Sequence, residues 1–169
     1  MALDFTLLDP TFCPLAEQLI QTMKDKGYEI NPYYGLRTLE QQAKFYRRSR
    51  PTHVVNIAIQ NLRDQSCDYL ADIMTSVGPQ PYGPWATDAL PGESYHEWGL
   101  AMDCLLTPGA TSDYEIYADT AKDLGLTAGY YFHDCDMGHV QLGSTNLPLG
   151  YNLKQINDYF VSHPQIKLT

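Results

Sequence analysis

The sequence predicts an α+β domain in which a small antiparallel sheet is packed by helices. Three observations predict it. Apolar residues recur at helical spacing through the first half of the chain. Short strand-like runs cluster after residue 98. No regular βαβ alternation joins the two. With 169 residues the chain is long enough for one domain, 1–169, and short for two.

The elements follow in order. Leu15, Leu19, Ile20 and Met23 repeat at helical intervals and Gly27 supplies a stop, giving a helix over about 13–26. An extended piece from Tyr28 to Leu36 contains Pro32. Thr38 then reads as an N-cap with Gln41 as its capping-box partner, opening a helix to about Arg48. Pro51-Thr52 opens one longer helix, from Val54 and Val55 through Leu62 and Leu70 to Val77, which Gly78 ends. Residues 78–94 hold four Pro and three Gly, a density of breakers that no regular element survives. Loops of this length in compact domains are often functional. Gly99 to Leu106 reads as a strand. Ser112 with Glu115 is a second capping-box signature, opening a helix to about Leu124. Tyr130–Phe132 and Gly138–Leu142 read as strands joined by a polar turn, and a last helix spans about 153–161.

Composition narrows the function. Eleven basic residues against 20 acidic give a net charge of −9, the wrong sign for a general nucleic-acid binder, which needs a basic footprint against phosphate. No run approaches the ~18 apolar residues of a membrane span, so neither nucleic acid nor membrane is an expected partner. The amino terminus MALDFTLLDP lacks the basic and apolar regions of a secretory signal. The expectation is synthesis in the cytoplasm, with action on an external target after release or by non-classical export. Cys13, Cys67, Cys104 and Cys135 are widely spaced, without a CxxC pair, and read as reduced, mostly buried thiols.

Three segments place polar residues where a core would not. The first is Ser94-Tyr-His96-Glu-Trp98-Gly99-Leu-Ala101-Met-Asp103. Strand alternation puts Gly99, Ala101 and Asp103 on one face, a carboxylate beside small residues that permit close approach. The second is His133-Asp-Cys135-Asp136-Met-Gly138-His139-Val-Gln141, where His139 and Gln141 point one way and Val140 the other. Asp136, three residues before His139, could stand beside a metal held by His139 without binding it. A catalytic zinc needs three protein ligands, an open position and a nearby carboxylate. His96, Asp103, His139 and Asp136 meet that need if their strands are neighbours. The third segment, Gly35-Leu36-Arg37-Thr38, sets an Arg at the mouth of a helix, where it can hold an oxyanion or a carboxylate. Each residue also has a plainer use: a strand His as a hydrogen-bonded structural group, Asp103 as a turn or cap residue, Arg37 as a surface ion pair.

Ser94-x-His96-x-x-Gly99-x-Ala101-x-Asp103 resembles the SxHxxGxAxD signature of the D-alanyl-D-alanine carboxypeptidase family of zinc metallopeptidases. This family includes VanY-like carboxypeptidases and the L-alanyl-D-glutamate endopeptidases of phage endolysins. Asp136-x-x-His139 is similar to its second motif, and Gly35-Leu-Arg37-Thr38 with Gln42, Phe45 and Tyr46 to its amino-terminal element. The motifs stand in the family's order over about 35–141.

The resemblance implies a hedgehog/DD-peptidase-like fold and one Zn²⁺ per chain held by His96, Asp103 and His139. It implies Asp136 as general base and Arg37 as oxyanion stabiliser. Ser94 is implied as a residue contacting substrate or supporting a ligand. Gln42 and Trp98 are further candidates for substrate contact, Trp98 being equally able to anchor the core. The implied substrate is the stem peptide of peptidoglycan, acted on by a monomer. Many relatives carry Glu where this chain has Asp136, and the Asp leans toward the endopeptidase branch. A D-alanyl-D-alanine or L,D-type carboxypeptidase, a non-catalytic zinc-containing peptidoglycan-binding module and a hedgehog-type signalling domain are the alternatives. Cys135 could also ligate zinc or fill a turn, and His133 could line the cleft or cap that turn. Arg47, Arg48 and Arg50 read as a solvated helix end, His53 and His163 as exposed, and Tyr33, Tyr34, Tyr82 and Tyr95 as possible substrate contacts near the motifs. Trp85 flanks the site in sequence.

Overall fold

The computed structural model describes residues 3–78 and 83–165. Tyr82 lies outside them. In chain order the helices are α1 (Cys13–Asp25), α2 (Leu39–Arg47), α3 (Thr52–Asp64), α4 (Asp68–Ser76), α5 (Thr111–Asp123) and α6 (Leu153–Ser162). The strands are β1 (Glu29–Tyr34), β2 (Ala101–Thr107), β3 (Thr127–Ala128) and β4 (His139–Gln141). The expected α+β class with a small antiparallel sheet is observed. The chain divides into two compact units, residues 1–36 with 98–144, and residues 37–97 with 145–169.

The first unit carries the whole sheet, in the order β1-β2-β4-β3, with every pairing antiparallel. β1 is an edge strand, which is why it tolerates Pro32. Its register slips between Pro32, opposite Cys104, and Tyr34, opposite Asp103, so Tyr33 is the extra residue of a bulge. α1 packs against α5 and β1. Phe12, Leu19 and Met23 are fully buried, as are Met102, Cys104, Tyr117 and Val140. β4 lies close to β2 because position 138 is glycine. A Cβ there would meet the Cys104 carbonyl oxygen at 2.5 Å, and the Cys104 N–H donates to the Gly138 carbonyl at 2.9 Å.

In the second unit α4 is the central helix and contacts α2, α3 and α6. Its Leu70, Ala71 and Met74 are fully buried, with Leu39 and Ala43 of α2, Val55 and Leu62 of α3 and Ile156 of α6 also in the core. The Asn157 side chain accepts from the Leu70 N–H in the first turn of α4.

Several sequence expectations are corrected. The single helix expected from Pro51 to Val77 is two, α3 and α4, broken at Ser66, whose φ is +58°. The polar run Arg63-Asp-Gln-Ser66 offers no apolar face, and folding the chain back there lets both helices bury their stripes on each other. The strand expected at Tyr130–Phe132 is a 3-10 turn at Gly129–Tyr131, and the pairing strand is Thr127–Ala128. Gly129 sits where a Cβ would come within 2.5 Å of the Asp136 carbonyl oxygen, so the chain turns there instead of continuing extended. α5 begins at Thr111, and its first turn is capped by the Asp113 carboxylate, which accepts from the Ala110 N–H at 2.9 Å, in place of the expected Ser112–Glu115 pair. The capping box of Thr38 and Gln41 forms as expected.

The three arginines are not a solvated helix end: Arg48 is half-buried and lies over the Phe45 ring at 4.9 Å. Arg50 is buried between the rings of Tyr46 and Trp85, 3.8 and 3.7 Å from their centroids, and bonds the Tyr46 and Thr87 carbonyls and the Asp88 carboxylate. Arg47 donates to the Met74 carbonyl at 2.8 Å. Cys67 and Cys104 are buried as expected, whereas Cys135 is exposed on the turn before β4. Among the described residues no helix is long and apolar enough to cross a membrane.

Candidate metal and catalytic site

β2 and β4 bring the first two candidates together. Asp103 and His139 are direct cross-strand partners, and antiparallel partners on one face stand within side-chain reach. The His139 Nδ1 lies 3.0 Å from Asp103 Oδ1. Its Nε2 lies 3.0 Å from Gln141 Oε1, and the Gln141 Nε2 donates to the Gly143 carbonyl at 2.9 Å. The Phe132 ring stands 5.8 Å from the imidazole. Burial works to lower the His139 pKa. The hydrogen bond and charge of Asp103, with Gln141 and Asp136, outweigh it and leave the value above ordinary.

Asp136 occupies the turn that leads into β4. Its N–H donates to the Gly129 carbonyl and its carbonyl accepts from the His139 N–H. Its side chain is exposed. Tyr33, swung out by the β1 bulge, has its phenol pushed up to about 12 by burial and by the negative charges of Asp103 and Asp136. The sequence hinted at Tyr33 only by proximity to the Arg37 segment, because a bulge leaves no mark in the alternation.

In the second unit, the turn ending at His96 is built around Glu97. Its buried carboxylate accepts from the N–H groups of Gly92, at 2.9 Å to each oxygen, and of Ser94 at 3.0 Å. Burial drives the Glu97 pKa well up, against the pull of those N–H groups. Gly92 has φ +90°, and a Cβ there would press into Ile156, so only glycine closes this turn. Ser94 is half-buried and uses its backbone to hold the turn. The Arg37 N–H donates to the His96 carbonyl at 3.1 Å. The Arg37 Nη1 donates to Gln42 Oε1 at 2.6 Å, and the guanidinium lies over the Phe45 ring at 4.7 Å. Gln42 is fully buried and donates to the Ala89 carbonyl. Its side chain therefore braces Arg37. Trp98 is half-buried at the end of the short helical turn Tyr95–Trp98.

His96, Asp103 and His139 each offer one ligand atom, and these atoms all lie within 4.8 Å of one another. Asp136 and Cys135 are not in this group. Two imidazoles and one carboxylate form a borderline donor set that suits Zn²⁺ and leaves room for a further ligand. His133 is fully exposed beside Asp134, and His53 and His163 are exposed as expected. The Tyr95 hydroxyl is turned to Thr145 and its ring is buried. Motif reading passed over Glu97 and placed Gln141 beside His139 without giving it a role. One is hidden inside a motif as a variable position, and the other shows only as a polar residue on a buried strand.

A family model described as VanY, D-alanyl-D-alanine carboxypeptidase, matches residues 6–123. The chain belongs to this family. The match takes in Arg37, Gln42, His96 and Asp103 and ends before Asp136 and His139. Among solved structures the chain is similar to the LdcB LD-carboxypeptidase, with TM-score 0.49 and 20% identity over 90% of this chain and 64% of that one. It is also similar to DacB from Streptococcus pneumoniae, with TM-score 0.48 and 24% identity over 90% of this chain and 72% of that one. A third is the D,D-pentapeptidase VanY of a VanB-type resistance cassette in complex with Zn(II), with TM-score 0.48 and 17% identity over 80% of this chain and 73% of that one. The chain thus spans a little under two thirds of the LdcB structure. No curated protein matches it.

Proposed function

We propose that this chain is a zinc-dependent peptidase that hydrolyses an amide bond in the stem peptide of peptidoglycan. The observation that carries the reading is the convergence of ligand atoms from His96, Asp103 and His139, in a chain of the VanY family. His96, Asp103 and His139 hold the ion. When bound, Zn²⁺ lowers the pKa of its water from ~15.7 to ~7 and polarises a carbonyl. Asp136 takes the proton of the attacking water and passes it to the leaving amine, a role suited to an exposed carboxylate whose charge is felt at His139 but which lies outside the ligand group. Arg37 meets the negative charge that grows on the carbonyl oxygen, and Gln42 and Phe45 hold its guanidinium for that task. Ser94 and Trp98 line the approach of the peptide. The protein acts as a monomer on the cell wall, reached after release or by non-classical export.

The bond cut is the one between L-alanine and D-glutamate, a reading supported by Asp136, which stands where many relatives carry Glu and matches the residue of the endolysin-type endopeptidases that the sequence resembles. The family match favours a second reading, removal of a terminal D-alanine. Digestion of defined muropeptides, followed by mass spectrometry with and without a chelator, separates the two. Cleavage behind L-alanine supports the endopeptidase, and loss of one D-alanine the carboxypeptidase. Intact stems in the presence of zinc-loaded protein overturn both.

A further inference from the structure

We infer that Gln141 is a positioning residue whose amide oxygen fixes the His139 tautomer and so reserves Nδ1 for the metal beside Asp103. The inference rests on the zinc reading for its metal half and on hydrogen-bond geometry for its tautomer half.

A short chain of hydrogen bonds runs from Gly143 through Gln141 to His139. The Gly143 carbonyl can only accept. It lies 2.9 Å from one end of the Gln141 amide, which must therefore be the NH₂ end. The other end of the amide, its oxygen, then faces the His139 Nε2 at 3.0 Å. An amide oxygen can only accept, so Nε2 carries the proton. In the neutral ring Nδ1 is left with its lone pair, and it points at Asp103 Oδ1, 3.0 Å away. Two lone pairs at that distance repel unless a proton or a metal ion stands between them, so the contact is an imidazolium–carboxylate pair when the ring is charged and suits a bound cation when the ring is neutral. Within the described residues this places an imidazole nitrogen and a carboxylate oxygen in the arrangement of two ligands converging on one cation.

The backbone keeps the chain of bonds rigid. His139 and Gln141 are two apart on β4, so their side chains share a face. Gln141 is buried and paired on both sides, with Ala101 on β2 and Thr127 on β3. Metal-bound imidazoles commonly donate their second N–H to an oxygen that sets ring orientation, and loss of that partner typically costs about 10–100-fold in metal affinity.

The test uses the full chain, two variants and two readouts. Long-range ¹⁵N–¹H histidine correlations on metal-free protein at pH 9 report the neutral tautomer, and competition with a chromophoric chelator reports Zn²⁺ affinity. Wild type is expected to show His139 protonated at Nε2. Gln141→Met, which keeps the length and removes the acceptor, is expected to lose the tautomer preference and about 10–100-fold in affinity. Gln141→Glu retains an oxygen that accepts from Nε2 but gives up the donor to the Gly143 carbonyl, and is expected to keep the Nε2–H tautomer while recovering only part of the affinity. His139 protonated at Nδ1 in wild type overturns the inference, as does Gln141→Met with unchanged tautomer and affinity. If Gln141→Met does not fold, the wild-type tautomer and Gln141→Glu still decide. Wild type that shows the Nε2–H form yet takes up no zinc sinks the zinc reading and supports the tautomer half.

Discussion

Asp103 and His139 face one another across β2 and β4 with Oδ1 and Nδ1 3.0 Å apart, in a pair that sheet register alone sets. Both side chains are largely shielded from water. Such a pair is suited to holding a divalent ion, because the strands fix its geometry in advance. Asp103→Asn keeps the shape and removes the charge. Its circular dichroism is expected to match wild type while bound zinc after dialysis falls well below one per chain, by elemental analysis. A variant that still holds one zinc would show that Asp103 is not a ligand.

Much of this pair was legible before the structure. His96, Asp103 and His139 were readable as a candidate set because metal-ligand side chains at these spacings are a strong signal; alternation and register place Asp103 and His139 on one sheet face, whereas His96 comes from the turn before β2. What escaped was decided by tertiary packing. Nothing in Asp64-Gln65-Ser66-Cys67 forbids a continuous helix, and only the mutual burial of Leu62 and Leu70 makes the break at Ser66 favourable. Tyr130-Tyr-Phe132 has strand composition, yet the tight contact at Gly129 turns the chain before it. Arg50 looked solvated because aromatic partners 4 residues before it and 35 after it cannot be paired from composition.

The four thiols differ in exposure, and their chemistry is expected to follow. Cys135 is exposed, Cys13 half-buried, Cys67 and Cys104 buried. A buried thiol reacts only when the structure opens, and each ~1.4 kcal/mol of opening free energy slows labelling about tenfold. Iodoacetamide is expected to modify Cys135 first and to reach Cys67 and Cys104 only in denaturant, as peptide mapping will show. Cys135→Ser is expected to remove the fast phase and leave the zinc content unchanged, since Cys135 lies outside the ligand group. Zinc loss in that variant would make Cys135 a ligand.

Glu93 gives the fold a pH signature. Its side chain accepts from the Leu90 N–H at 2.6 Å, and burial raises its pKa above the ordinary 4.5 against that bond. The native state therefore holds the proton more tightly than the unfolded chain. The contribution of Glu93 to stability falls as pH rises from about 4.5 through the raised value, then stays level. Glu93→Gln keeps the acceptor and cannot ionise. It is expected to melt higher than wild type at pH 7.5 and at the same temperature near pH 4. Equal melting temperatures at both pH values would mean that the buried carboxyl carries no penalty.

Arg50, just past the end of α2, organises residues 85–88. Its guanidinium lies between two aromatic faces, and its forked donors reach the Thr87 carbonyl and the Asp88 carboxylate at 2.7 Å each. Asp88 is mostly exposed, so the ion pair itself contributes little. The carbonyl bonds and the stacking contribute more, because a lysine ammonium can neither fork nor stack. Arg50→Lys is expected to destabilise the chain by about 1.5–3 kcal/mol, the scale of one lost hydrogen bond to a charged group. Trp85 is the ring on the outer side of the stack and half-exposed, so its near-ultraviolet dichroism reports the arrangement directly. In a Trp98→Phe background that signal is expected to collapse with Arg50→Lys. A preserved signal together with unchanged stability would mean that charge alone holds residues 85–88 in place.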